Sequence, residues 1–240
     1  MKIHSFYTGS PLRNYNHFIV SDNEKCAFVF DPLDLERIVD ILSKKNIENY
    51  YLLNTHTHHD HIARNDDFLE LNNSTKIELI DNEVYKISET EKIQALFTPG
   101  HHPNHYCYLL TEDEKQIGLI SGDNIFNAGV GNCKSKGADV DQLFESIMKL
   151  NELDQNIIIY PSHDYFKTNL EFALTIEPEN KEIKKYLTKV ESQGAFFTSL
   201  DEERKINPFF RLSELSKKDQ FKGMTSLEVF TKLRSLRDKW

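Results

Sequence analysis

The sequence lacks the features that would assign it to a membrane or secreted class. It contains no run of about 18 apolar residues, so no transmembrane helix is predicted. Residues 1–6 show no apolar segment of the kind that a signal peptide requires. The three cysteines, Cys26, Cys107 and Cys133, are odd in number and widely spaced, which argues against a disulfide framework and for a reducing compartment. We therefore expect a cytoplasmic protein without a membrane partner.

Positive charge is also scarce. The chain has 29 lysines and arginines against 38 acidic residues, a formal net charge of -9. Because phosphate backbones bind basic surfaces, a nucleic-acid partner is not expected. The 240 residues, 39% of them hydrophobic, suffice for a large core without disulfides. We expect a globular monomer.

Histidine, by contrast, is clustered. The chain has ten histidines, and those that lie in groups or follow an apolar run stand at positions 56, 58, 59, 61, 101, 102, 105 and 163. Surface histidines would scatter along the chain, whereas recurring clusters favour metal ligation.

The apolar pattern predicts a β-rich α/β core followed by a helical segment. Strands are predicted at 18–20, 26–30, 50–54, 77–80, 84–87, 93–97, 105–110, 116–121 and 156–160, with residues 21–25 as a hairpin loop. Helices are predicted at 35–45, 139–150, 168–176, 179–192 and 226–237. From about residue 168 the chain is rich in Glu, Lys and Leu and has few strand-like runs.

The segment 55–61, which reads THTHHDH, follows a predicted buried strand. Its imidazoles and carboxylate are ligand types that suit divalent metals. The spacing of His56 and His58 lets a compact loop aim both at one ion, and Asp60 and His61 can face a second. The alternative is a polar surface loop with chance histidines.

Three later positions add candidate ligands, each with a structural alternative. The cluster of His101, His102 and His105 follows a Pro-Gly turn, and alone it reads equally well as a polar loop. Asp123 directly follows a predicted strand, where a carboxylate can bridge two cations or form a turn. His163 follows the last predicted core strand, and as a lone histidine it would be structural.

Taken together, these motifs resemble a known family. THxHxDH, PGHxxxH, SGD and PSH, in this order, resemble the metallo-β-lactamase superfamily, and most closely its glyoxalase II (hydroxyacylglutathione hydrolase) branch. The segments 207–211 and 233–238 also resemble the helical C-terminal part of that family. The resemblance implies an α/β fold, an αββα sandwich, with a catalytic domain at 1–165 and a helical substrate-binding domain at 166–240.

The resemblance further implies a centre of two divalent metal ions, with zinc expected and iron or manganese as alternatives. The implied ligands of the first ion are His56, His58 and His105. Those of the second are Asp60, His61 and His163, and Asp123 is the implied bridge. His59 and His101 match no ligand position and are expected in supporting or loop roles.

The resemblance also implies glutathione contacts at Tyr165, Arg234 and Arg237. The two arginines have an alternative role, because basic residues in the last turn of a helix complement its macrodipole. Residues 129–137 depart from the family pattern: Asn132 stands at the usual basic position and the usual aromatic residue is missing. Lys134 or Lys136 could substitute, and Lys134 is our candidate.

The resulting hypothesis is hydrolysis of S-(2-hydroxyacyl)glutathione thioesters, such as S-D-lactoylglutathione. The two ions would lower the pKa of a water molecule that bridges them, and the resulting hydroxide would attack the thioester carbonyl. Asp60 and Asp123 are the candidate catalytic residues. A persulfide dioxygenase-like enzyme, another hydrolase of the superfamily, and a non-catalytic metal-binding or interaction protein remain open. Measurements of metal content per chain and of oxygen consumption would distinguish a persulfide dioxygenase from a hydrolase. Cys133 as a nucleophile is disfavoured because no base is identifiable.

Overall fold

The computed structural model describes residues 1–21, 23 and 25–240. The strands in the described residues are β1 (Lys2–Tyr7), β2 (Tyr15–Ser21), β3 (Cys26–Phe30), β4 (Asn49–Leu53), β5 (Ser74–Lys76), β6 (Val84–Lys86), β7 (Glu91–Phe97), β8 (Tyr106–Glu112), β9 (Lys115–Gly122), β10 (Ile125–Phe126), β11 (Gly129–Val130) and β12 (Ile158–Pro161). The helices are α1 (Leu35–Ser43), α2 (His59–Ile62), α3 (Asn65–Leu69), α4 (Val140–Leu150), α5 (Phe166–Ile176), α6 (Lys181–Gln193), α7 (Leu200–Ile206), α8 (Leu212–Leu215) and α9 (Ser226–Lys239), with 3-10 turns at Pro208–Phe210 and Asp219–Phe221.

Two five-stranded sheets form the centre of the described chain. The first has the order β1-β2-β3-β4-β5 and the second the order β12-β9-β8-β7-β6, while β10 and β11 form a separate hairpin. Strands β3, β4 and β5 run parallel to one another, as do β9 and β12. Loops that follow parallel neighbours emerge at the same sheet edge, and this geometry brings distant segments of the chain together.

Side-chain alternation in the strands builds three apolar layers. In β3, Phe28 and Phe30 face the second sheet, whereas Val29 packs with α1 on the outer side. On the outer face of the second sheet, Leu109 and Leu119 pack against α4 and the C-terminal helices. The order of layers is therefore helix, sheet, sheet, helix, as predicted.

The helix ends follow from local capping residues. The Asp139 side chain accepts hydrogen bonds from the first turn of α4, and Asn180 does the same for α6. Thr225 and Glu228 form a capping box at the start of α9. Such caps satisfy backbone N–H groups that have no partner inside the helix.

Most predicted elements are confirmed, with ends shifted by a few residues, but the strand predicted at 77–80 is wrong. The strand in that region is β5, which ends at Lys76, and Ile77 makes a last backbone hydrogen bond to Leu52. Ile77 and Leu79 are half-buried while Ile80 is exposed, so the alternation suits a strand, although no partner strand lies beside this segment within residues 1–21, 23 and 25–240. The antiparallel pairing of β2 with β3 agrees with the predicted hairpin, whose loop residues 22 and 24 lie outside the described residues.

A buried carboxylate anchors the β10–β11 hairpin. Glu203 in α7 is fully buried and accepts hydrogen bonds from the backbone N–H of Ala128 at 2.9 Å and the hydroxyl of Thr198 at 2.5 Å. Asn207 donates its amide to the same carboxylate at 2.7 Å and to the carbonyl oxygen of Gly129 at 3.1 Å. The turn needs this support because Ala128 has a positive φ of 59°, a conformation that costs a residue with a Cβ.

The C-terminal helices share a core with the second sheet. Ile159 of β12 and the preceding Ile157 belong to one apolar cluster with Phe172, Phe209 and Phe230. The boundary between residues 165 and 166 stays a prediction, but the residues on its two sides bury a common core. Among the described residues, no helix combines the length and apolar character needed to cross a membrane.

Candidate metal centre and adjoining cleft

The candidate site lies where loops leave neighbouring strand ends. Leu53 at the end of β4 pairs with Phe30 at the end of β3, so the segment that starts at Thr55 emerges beside Asp31. In the second sheet, Pro161 of β12 pairs with Gly122 of β9. The residues that follow these two strands, Asp123 and His163, therefore lie side by side.

Asp31 fixes the position of the His-rich segment. Its buried carboxylate accepts hydrogen bonds from the backbone N–H of Thr55 at 2.8 Å and from the Thr55 hydroxyl at 2.6 Å. His61 places Nδ1 at 2.9 Å from the same carboxylate. Since a carboxylate can only accept, Nδ1 carries the proton and Nε2 presents a lone pair to the site.

Two more histidines are oriented in the same way. His101 donates from Nδ1 to the carbonyl oxygen of Asn132 at 2.8 Å, and His163 donates from Nδ1 to that of Leu12 at 2.8 Å. Both rings therefore direct Nε2 inward. A hydrogen bond from the outer ring nitrogen is the usual support of a metal-binding histidine.

Asp123 lies between two groups of these nitrogens. Its Oδ1 is 3.5 Å from Nε2 of His61 and 3.3 Å from Nε2 of His163, while Oδ2 is 3.4 Å from Nε2 of His101. Asp60 completes the second group, with Oδ2 at 3.4 Å from His61 and 3.5 Å from His163. The remaining nitrogens come from His56 and His58, whose Nε2 and Nδ1 atoms lie 2.8 Å apart.

The electrostatics of the cluster favour bound positive charge. Burial lowers the pKa of His61, but the carboxylates of Asp123, Asp31 and Asp60 outweigh this effect and raise it to about 9. Burial raises the pKa of Asp123, yet His163 and His61 hold it well below its usual range. Two buried atoms here, Nε2 of His61 and Oδ1 of Asp123, have no hydrogen-bond partner. Unpaired buried donors and acceptors of this kind fit divalent cations.

The geometry of the cluster adds His101 to the candidate ligands, while the role of His105 as a ligand stays a prediction. Ligand atoms of His56, His58 and His101 lie within 4.8 Å of one another, as do those of Asp60, His61 and His163. His105 is not in either group. Its Nε2 accepts the backbone N–H of Asp123 at 3.1 Å, and its Nδ1 contacts the Thr98 hydroxyl at 3.2 Å.

His101 is therefore a candidate ligand beside His56 and His58, in addition to the predicted His105. His105 also contacts the backbone of Asp123. The exposed His59 is in neither of the two groups.

A cleft of about 320 Å³, here called the basic cleft, adjoins the His163 side of the cluster. It collects all four predicted substrate contacts together with aromatic and polar neighbours. Its lining is Phe126, Val130, Asn132, Lys134, Tyr165, Asn169, Arg234, Arg237, Asp238 and Trp240. Tyr165 stacks on His163, with ring centroids 5.1 Å apart, and so joins the cleft to the cluster.

The cationic side chains of the basic cleft differ in burial and in how many of their hydrogen-bond donors are used within the protein. Arg234 is buried, donates to the carbonyl oxygens of Val130 and Gly131, and pairs with Asp238 at 2.9 Å. Most of its donors are thus used within the protein. Arg237 and Lys134 are more accessible: Arg237 is half-buried beside Trp240, and Lys134 is exposed.

Comparison with known proteins places the chain in a family. The family model described as hydroxyacylglutathione hydrolase C-terminus matches residues 164–240. The hydroxyacylglutathione hydrolase of Francisella philomiragia is 32% identical over 259 aligned positions, which cover the whole of both chains. The chain belongs to the hydroxyacylglutathione hydrolase family. This confirms the resemblance derived from the motifs.

Solved structures confirm the metallo-β-lactamase fold. A crystal structure of ETHE1 from Myxococcus xanthus aligns with a TM-score of 0.72 at 19% identity, covering 98% of this chain and 91% of the other. A metallo-β-lactamase from Staphylococcus aureus aligns with a TM-score of 0.63 at 20% identity, covering 99% of this chain and 71% of the other. The αββα sandwich with C-terminal helices is the fold of this hydroxyacylglutathione hydrolase family member.

The loop that departs from the family pattern still contributes to the basic cleft. Asn132 and Lys134 line it, whereas Lys136 does not. Burial raises the pKa of the Cys133 thiol to about 11, which disfavours a thiolate nucleophile.

The sequence alone did not reveal the roles of Asp31 and Asn14. The side-chain amide of Asn14 donates a hydrogen bond to Asp60 at 2.8 Å. A signal existed for Asp31, because it directly follows a strand, as Asp123 does.

Proposed function

We propose that this family member hydrolyses S-(2-hydroxyacyl)glutathione thioesters, releasing a 2-hydroxy acid such as D-lactate and glutathione. One observation carries the proposal: a buried cluster that fits two divalent cations opens beside a cleft lined by cationic side chains. Full-length likeness to hydroxyacylglutathione hydrolases supports the same substrate class.

Two groups of side chains would hold the cations. The first comprises His56, His58 and His101, and the second comprises Asp60, His61 and His163, with one oxygen of Asp123 turned to each group. Bound divalent cations supply Lewis acidity, which lowers the pKa of water and polarises a carbonyl group. Zinc is the expected metal, and this mixed set of imidazole and carboxylate ligands also suits iron or manganese.

The protein's own groups position the reactants. The side chain of Asp60 is more exposed than that of Asp123, 20% against 10%, so Asp60 is placed to accept a hydrogen bond from the attacking water. The side-chain amide of Asn14 donates a hydrogen bond to the carboxylate of Asp60 and so fixes its position. The leaving group is a thiolate, whose conjugate acid has a pKa near 8.5, so the reaction needs no strong general acid.

The basic cleft suits the glutathione part of the substrate, which carries two carboxylates. Arg237 and Lys134 can pair with them, and the partly buried setting makes such pairs stronger than on an open surface. Tyr165 offers a ring face between the cleft and the cluster, although its hydroxyl donates to the Leu12 carbonyl at 3.1 Å. Arg234 is proposed to shape the cleft as much as to contact the substrate.

The proposal is tested by measuring S-D-lactoylglutathione hydrolysis together with metal content per chain. The wild type should be active with two ions per chain, and Asp123→Ala should lose both activity and metal, because it removes the shared carboxylate. The matched control is His59→Ala, an exposed neighbour of the cluster, which should retain both. A wild type that is fully loaded with metal yet inactive would reject the proposal, and oxygen consumption with a glutathione persulfide would then favour dioxygenase chemistry.

A further inference from the structure

A second cleft, larger and more apolar, opens at the cluster and has no role in the function proposed above. It encloses about 450 Å³ and is here called the apolar cleft. Its apolar walls come from α2, from β8 and from the unpaired segment 77–80, and polar groups lie among them. The lining is Asn54, His56, Thr57, Ile62, Asn65, Lys76, Ile77, Glu78, Leu79, Ile80, Asn104, Tyr106 and Tyr108.

The two clefts adjoin different members of the candidate metal cluster. Tyr165 of the basic cleft stacks on His163, whose ring lies 5.6 Å from that of His61. The ring of His61 lies 3.9 Å from that of His56, which lines the apolar cleft. A ligand that spans the cluster can therefore place one end in each cleft.

The polar groups of the apolar cleft are largely engaged within the protein. Tyr108 donates its hydroxyl to the Asn54 carbonyl oxygen at 2.8 Å, which leaves its ring for the cleft. Lys76 pairs with Glu78 at 2.8 Å, so these two charges neutralise each other. Ile80 is 72% exposed, an unusual position for a large apolar side chain beside a functional site.

We propose that the apolar cleft binds the acyl group of the thioester, and that the protein prefers acyl groups bulkier and more apolar than lactoyl. This inference rests on the proposed function. The two substituents of a thioester carbonyl point away from each other. If the glutathione part occupies the basic cleft, the acyl group must extend towards His56. A three-carbon acyl group would leave most of the apolar cleft to water.

The test uses the metal-loaded enzyme and S-acylglutathiones from 2-hydroxypropanoyl to 2-hydroxyhexanoyl. The measured quantity is the ratio of kcat/KM for the six-carbon substrate to that for the three-carbon substrate. We expect a ratio of roughly ten or more, because each buried methylene is worth up to about fourfold in affinity. A ratio at or below one would overturn the inference.

Two matched variants test whether the apolar cleft causes the preference for longer acyl groups. Ile80→Asp places a charge at the rim of the apolar cleft and should lower the ratio towards one. Val84→Asp makes the same change at another exposed apolar side chain, on β6 and outside the cleft, and should keep the wild-type ratio. Equal ratios in both variants would contradict the assignment. Since Leu79 is half-buried in the same wall, Leu79→Ala should also lower the ratio, with thermal unfolding as the check on folding.

The two proposals fail in distinguishable ways. A metal-loaded wild type that hydrolyses none of the substrates contradicts the proposed function. A wild type that hydrolyses S-D-lactoylglutathione but gains nothing from longer acyl groups contradicts the acyl-cleft inference alone.

Discussion

The buried carboxyl group of Glu203 should make the stability of this protein depend on pH. Burial raises the pKa of Glu203 from 4.5 to about 7, although hydrogen bonds from Thr198, Asn207 and Ala128 act in the opposite direction. Between these two values the folded protein holds a proton that the unfolded chain releases. The resulting stabilisation is complete below pH 4.5 and is lost as the pH rises to 7. Its size is about 3 kcal/mol, from 1.36 kcal/mol for each unit of pKa.

Glu203→Gln removes the titrating group and keeps the size of the side chain. Urea unfolding of both proteins from pH 5 to pH 8 gives the free energy of unfolding at each pH. The stability of the wild type relative to the variant should fall by about 2 to 3 kcal/mol over this range. Taking the difference between the two proteins cancels the titration of the groups that they share.

The matched control is Glu214→Gln, which changes an exposed carboxylate on α8. Its stability difference from the wild type gives the pH dependence that loss of an exposed carboxylate produces. If the Glu203→Gln difference follows the same curve, burial does not hold the proton on Glu203. The proposed effect of burial would then be wrong.

Three further predictions concern the metal centre. If His101 is the third ligand beside His56 and His58, His101→Ala should bind fewer ions per chain after dialysis against a weak chelator, whereas His105→Ala should keep its metal and lose stability. The reverse pattern would assign this place to His105. Asp31→Asn should weaken metal binding by roughly 10- to 100-fold, because His61 loses the acceptor that fixes its tautomer, and competitive chelator titration measures this change. Gly131→Ala should destabilise the fold by about 1–3 kcal/mol and lower metal occupancy, because the added Cβ would overlap the backbone carbonyl oxygen of Asp123. A melting temperature and a metal content equal to those of the wild type would contradict this prediction.

The layered fold could be predicted from the sequence because apolar alternation and helical periodicity act locally. Residues 26–30 and 116–121 show their strand character without reference to a partner. The segment 77–80 shows the same alternation, yet it turns away from β4 after one backbone hydrogen bond from Ile77. Strand formation depends on a neighbour, and a local pattern does not reveal whether a neighbour is present.

The residue types of the candidate site were predictable from the sequence, and the folded structure adds His101 as a candidate. His101 and His105 lie four residues apart in one loop, and either spacing suits a ligand. The two histidines differ in which ring nitrogen contacts the backbone. Nδ1 of His101 donates to the carbonyl oxygen of Asn132, whereas Nε2 of His105 accepts the N–H of Asp123. These partners are 31 and 18 residues away along the chain, so only the folded structure distinguishes the two histidines.

The core shared by the second sheet and the C-terminal helices bears on how this protein folds. Removing residues 166–240 would expose Ile159 and Leu119, which pack in one cluster with Phe209 and Phe230. It would also remove Glu203 and Asn207, and with them the support of the strained turn at Ala128. We therefore expect that residues 1–165 do not fold stably on their own and that the whole chain unfolds cooperatively.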